Sequence, residues 1–300
     1  MKKRVLTVAL AAAAWTSPVL AHDNHKPRID DHAPIGVMAD HYHKKGEWMA
    51  SARIMFMGMD DPVNTMMGPQ SMDATKVMVG GMYAPSDKLT LAAGIGFIDR
   101  SMDMAMMGNS MERTSDGFTD LRFTAITPLF VDDKQRVLFS LGAAVPVGDA
   151  SETDSMGNLL PLKMQPGNDS WSLMPGLTYS RYGSGWSFGL QASGTFWLDS
   201  APTGEKAGDK WMLTSWGSVT VTDRFSLSAR LAYEDMGAWR GVPVMSGDAR
   251  ERLRAFAGAN FYVTGTHRLG VEVGLPVTES KGMNNLETGT SLIIGWQKAF

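Results

Sequence analysis

Methionine is the residue type whose number and spacing first point to chemistry. The chain carries 23 methionines against 12 phenylalanines, and they cluster. Met55, Met57, Met59, Met66, Met67 and Met72 fall in or beside one short stretch. Met102, Met104, Met106, Met107 and Met111 fall in the next. Thioethers are soft ligands that favour Cu(I) over calcium, magnesium or zinc. The every-second-residue spacing of Met102, Met104 and Met106 would point several sulfurs one way on an extended segment. Asp60, Asp61 and Asp103 would add charge attraction for a cation. The competing reading is that methionine serves as adaptable apolar filler.

Histidine is biased differently. His22, His25, His32, His41 and His43, five of the six, precede the first expected strand. Cleavage after Ala21 would make His22 the free N-terminus, with amine and imidazole both open to Cu(II). His41-Tyr42-His43 adds an alternating pair. The plain alternative is a solvated terminal segment. The candidate metal ligands are therefore the ten methionines Met55 to Met107 named above, with His22, His25, His41 and His43. No catalytic residue and no required cofactor emerges; copper enters as ligand or cargo.

These residues need elements to hold them. Lys2, Lys3 and Arg4, an apolar run, and Val19-Leu20-Ala21 read as a secretory signal over residues 1–21. Residues 22–45 read as a His-containing periplasmic segment. Residues 46–300 read as an all-β domain of alternating apolar and polar or small residues. The strands expected are 46–57, 74–84, 89–98, 117–128, 136–147, 172–180, 186–196, 211–221, 225–233, 253–263, 268–277 and 287–300. Short turns alternate with longer connections, of which 58–73, 99–116 and 148–171 are among the longest. About twelve strands, short periplasmic turns and longer extracellular loops define an antiparallel transmembrane β-barrel.

Composition agrees. No apolar stretch after the signal is long enough for a spanning helix, so a membrane could be crossed only by a closed barrel. There are 32 glycines and nine tryptophans, and no cysteine. Glycine suits strands that bend and a lumen that stays open; tryptophan suits membrane interfaces. A net charge of −3 does not fit a nucleic-acid binder. Leu292, Ile294, Trp296 and Phe300 share one face, like the C-terminal signal of outer-membrane barrels. The expected partners are outer-membrane lipid, the barrel assembly machinery and copper ions, with no nucleic acid. Arg53, Lys76, Asp120, Arg122, Gln191, Arg230, Arg254, Asn260, Glu272 and Glu287 fall on the expected lumen face.

Three stretches carry a family resemblance: residues 32–49 (His-Ala-Pro-Ile-Gly-Val-Met-Ala-Asp-His-Tyr-His-Lys-Lys-Gly-Glu-Trp-Met), residues 81–91 (Gly-Met-Tyr-Ala-Pro-Ser-Asp-Lys-Leu-Thr-Leu) and residues 173–179 (Leu-Met-Pro-Gly-Leu-Thr-Tyr). Together they resemble the outer-membrane transporter family named for the meta-pathway of phenol degradation, and within it the Met-rich members associated with copper resistance. The resemblance implies a barrel and transport, and brings no catalytic residues.

The leading functional expectation is an outer-membrane transporter or channel that handles copper through Met-rich loops. A channel for small hydrophobic or aromatic solutes is the alternative. An outer-membrane lipid hydrolase is the rival class, but no histidine falls on a strand near the extracellular rim to activate a serine.

Overall fold

The computed structural model describes residues 28–60, 67–106, 109–241, 249–281 and 286–300. The expected signal over 1–21, with His22 and His25, lies outside the described residues, as do Met66 and Met107. The strands are β1 (Trp48–Asp60), β2 (Met67–Ser86), β3 (Leu89–Met106), β4 (Asn109–Phe118), β5 (Leu121–Val131), β6 (Gln135–Val145), β7 (Ser172–Gly183), β8 (Trp186–Trp197), β9 (Lys210–Thr222), β10 (Phe225–Met236), β11 (Arg250–Tyr262), β12 (His267–Lys281) and β13 (Glu287–Ala299).

Each strand pairs antiparallel with its neighbours, and β1 pairs with both β2 and β13, which closes the sheet. At the closure, Phe300 donates its backbone N–H to Trp48 at 2.8 Å, and the two rings stack with centroids 4.0 Å apart. Strand β3 holds two partners in turn: its residues 90–94 pair with β5 and its residues 97–106 with β4. The break between them, at Thr119-Asp120, is short, so β4 and β5 form one interrupted stave. Twelve staves make the barrel, as the alternation predicts.

Membrane burial explains the outer face. On β12, Leu269, Val271, Val273, Leu275 and Val277 are all exposed, while the alternating Arg268 and Glu272 are buried. Exposed leucine, valine, phenylalanine and tryptophan continue on β5 to β10, with Phe261 on β11. Such a continuous apolar belt around a closed barrel is a lipid-facing surface. Inside, small residues keep the wall thin. Gly80 and Gly94 face each other across β2 and β3, and a Cβ at Gly80 would come within 2.8 Å of the Ala93 carbonyl oxygen.

The loops expected over 58–73 and 99–116 are largely strand. β2 and β3 continue their ladder past the rim to the pairs Met72↔Met102 and Met67↔Met106, and β4 pairs back onto β3. The physical reason is a change of surroundings. Below the rim the outer face meets lipid and is apolar. Above it the outer face meets water, so Asp73, Asp99, Ser101 and Asp103 stand outside while Met72, Met102 and Met104 alternate inside. The period of two survives, but its polarity inverts.

Candidate functional site

Residues 28–46 enter the barrel from the end with the short turns, the periplasmic end in barrels of this kind, and return to it. The part of the expected periplasmic segment that is described, from Arg28 on, therefore forms a plug inside the barrel. Arg28 starts at the rim, donating from Nη2 to the Gly183 carbonyl at 2.7 Å. Tyr182 and Tyr262 donate their hydroxyls to the carbonyls of Asp31 (3.0 Å) and Arg28 (3.2 Å). Arg268 donates to the Ala33 carbonyl at 2.8 Å, and Gln191 to that of Met38 at 2.8 Å. The return ends where Gly46 donates to the Ala84 carbonyl at 2.8 Å. A segment without regular structure can be buried only if its backbone groups find partners, and the polar lumen supplies them.

The innermost point is a turn closed by Val37 N–H donating to the Pro34 carbonyl at 2.9 Å. Ile35, 1% exposed, packs with Ala232, Phe256 and Ile293. It fills a socket formed by two glycines: a Cβ at Gly270 would lie 2.8 Å from Ile35 Cβ, and one at Gly295 would collide with Ile35 Cγ1. Arg53 holds the Ile35 carbonyl at 2.9 Å. Gly36 donates to Glu272 Oε2 at 2.6 Å, and Glu272 is itself paired with Arg230 at 2.9 Å. A Cβ on Gly36 would strike both Arg230 Nη2 and Glu272 Oε2. Asp40 accepts the Ala33 N–H at 2.7 Å and ties the two limbs of the plug together.

The plug also gathers its histidines. His41 and His43 are buried, with ring centroids 5.2 Å apart, and the His32 ring lies 4.1 Å from that of His41. Asp31, His32 and His41 each bring one potential ligand atom within 4.8 Å of the others. Asp31 also pairs with Arg136 at 2.7 Å. Of the sequence-predicted pair, His41 thus joins this group, while His43 Nδ1 lies 3.6 Å from Glu47. Asp31 and His32 had no distinguishing sequence signal beyond their nearness to the other histidines.

Beyond the plug lies a cavity of about 310 Å³. Its floor is plug residues Gly36 to His41, and its wall includes Met49, Met78, Met82, Met174 and Met212 with Lys76, Arg122 and Lys210. Register extends this methionine face towards the extracellular end. Met49 lies opposite Met82, Met59 opposite Met72, Met72 opposite Met102, and Met104 opposite Met111. Met55 and Met57, at alternate positions on β1, share its inward side. The loop over 146–171 folds against this upper wall, where Ser115 and Arg100 donate to the carbonyls of Met164 (2.6 Å) and Lys163 (2.9 Å). Among the expected lumen residues, Arg53, Gln191, Arg230, Asn260 and Glu272 are buried inside, while Glu287 is exposed.

A closed, belted barrel with a polar, plugged lumen defines the class of outer-membrane β-barrels. The chain belongs to the family described as "Putative MetA-pathway of phenol degradation", whose sequence model matches residues 70–279. Among solved structures it is similar to the COG4313 outer membrane channel from Pseudomonas putida F1, with 14% identity, TM-score 0.68, and coverage of 87% of this chain and 98% of that one. It is also similar to the translocator domain of the autotransporter NalP from Neisseria meningitidis, with 13% identity, TM-score 0.53, and coverage of 84% and 88%. These likenesses establish the fold. No curated protein sequence matches the chain.

Proposed function

We propose that the protein is an outer-membrane channel for small solutes with an apolar, aromatic body, closed from the periplasmic side by the plug. The cavity carries this reading. Its volume of about 310 Å³ lies within the range of small-molecule sites. Methionine sulfur makes favourable contacts with aromatic rings, and its flexible chain adapts to varied shapes. The apolar belt would seat the barrel in lipid.

Single-channel recording in planar bilayers tests this. Discrete openings are expected, with benzamide, a small neutral aromatic, blocking the current. Ala92→Trp, which fills the wall of the cavity, should reduce both conductance and block several-fold. A protein that folds yet conducts neither alone nor after the plug is loosened contradicts the reading.

A second reading rests on the row Met59–Met72–Met102, where three thioethers occupy laterally adjacent register positions on the inner face. Such a row suits capture of Cu(I) as cargo. Replacing all three with leucine keeps their apolar volume. Cu(I) affinity should then fall at least tenfold in a competitive titration; an unchanged affinity would leave these methionines as packing.

A further inference from the structure

The same cavity has an electrostatic imbalance that an apolar solute does not use. Most lumen cations find partners within the protein: Arg53, Arg100, Arg254 and Arg268 donate to neutral oxygens, and others pair with acids. Arg230 pairs with Glu272 at 2.9 Å, Arg252 with Glu234 at 2.7 Å, Arg250 with Glu279 at 2.5 Å, and Lys210 with Glu234 at 3.7 Å. Lys76 on β2 and Arg122 on β5 differ. Both line the cavity, and among the described residues neither forms a hydrogen bond or an ion pair. They flank β3, whose Gly94 lies opposite Arg122. On the same strand, a Cβ at Gly96 would sit 3.0 Å from Lys76 Cε. Glycine there leaves the two cations open to the cavity.

The surroundings supply a single counter-charge, Asp120, for the two cations. The main charged neighbours of Lys76 are Arg122, Arg100 and Lys210, with Asp120 the acid among them. Asp120 also anchors a loop. Its Oδ1 accepts the Gly148 N–H at 3.2 Å, and its Oδ2 accepts the backbone and side-chain N–H groups of Asn168 at 3.0 and 3.3 Å, which pins the 146–171 loop. Two cations that share one acid leave an excess of positive charge facing the cavity, which favours an anion there. A guanidinium beside an ammonium suits a carboxylate, which the arginine can hold through paired hydrogen bonds.

We propose that Lys76 and Arg122 bind the carboxylate of an amphipathic organic anion, an aromatic carboxylate, whose ring lies against Met78 and Met82. This inference rests on the solute-channel reading and names the class of solute.

Isothermal titration of the full chain in non-ionic detergent at pH 6, where both the lysine and the carboxylate probe are charged, tests it, with benzoate, the neutral isostere benzamide, and inorganic phosphate as probes. Charge-assisted hydrogen bonds predict that benzoate binds at least about tenfold more tightly than benzamide. Lys76→Met with Arg122→Gln should abolish that preference. Lys76→Arg with Arg122→Lys, which keeps both charges, should retain it, and this pair decides the matter if the neutral variant does not fold. Equal binding of benzoate and benzamide overturns the inference and leaves the aromatic-solute reading standing. Binding of neither overturns both. Phosphate bound as tightly as benzoate overturns the organic-anion assignment.

Discussion

Gly36 shows how far one side chain decides the state of this lumen. Its missing Cβ allows the backbone N–H to reach Glu272 at 2.6 Å beside the Arg230–Glu272 pair. Alanine would force this buried pair to move. Overpacking of that size costs about 1–3 kcal/mol, and the cost falls on plug docking, because every strand ladder is left intact. Gly36→Ala should therefore raise backbone hydrogen exchange over residues 28–46 by tenfold or more, with little change in exchange of the strands. Uniform loosening of both would show that the plug is not a separate unit. No local pattern in the sequence marks this glycine. Its partners lie more than 190 residues away along the chain, and only the folded barrel brings them to it. Ile35 is the same case, since its socket glycines belong to β12 and β13.

At the level of elements, the spanning strands are legible because lipid imposes a strict alternation on them. The β12 row from Leu269 to Val277 is an example. The extensions of β2 and β3 are harder to read because their outer face turns polar above the rim, so Asp99, Ser101 and Asp103 resemble loop residues. Met102, Met104 and Met106 nonetheless keep the strand period, and that period is the signal available. The plug has no period to read, since its backbone partners are lumen side chains. Its titration follows from its seat. Burial first, and then His32, hold the His41 imidazole well below its ordinary pKa; Asp31 opposes this, while His43 and Arg136 reinforce it. Undocking would return His41 to about 6.5. The docked plug thus prefers neutral His41, and that contribution is complete above about pH 6.5 and is lost as the pH falls. Burial raises the pKa of Asp40, an effect of opposite sign, since protonation of this carboxyl favours docking as the pH falls; the His41 response is read with Asp40→Asn as background. Open probability should therefore rise between pH 7 and pH 5.5, and His41→Gln should flatten the response. A wild-type channel indifferent to pH over that interval would show that His41 does not govern docking.

For the molecule as a whole, lipid, lumen and water each impose their own pattern on one closed sheet. The belt faces outward, the ion pairs and methionines face inward, and the N-terminal segment fills the space left at the periplasmic end. On the proposed reading, closure by that segment would turn a water-lined barrel into a regulated path to the cavity. Because the chain has no cysteine, a single introduced pair can lock it without competing thiols. Ile35 contacts the site of a Cβ on Gly295, close enough for a disulfide after a small local shift. The measurement is single-channel conductance of Ile35→Cys with Gly295→Cys, recorded oxidised and then reduced. A plug that gates the lumen predicts a closed oxidised channel that regains openings on reduction. Equal conductance in the two states, with the disulfide verified, would contradict gating by residues 28–46.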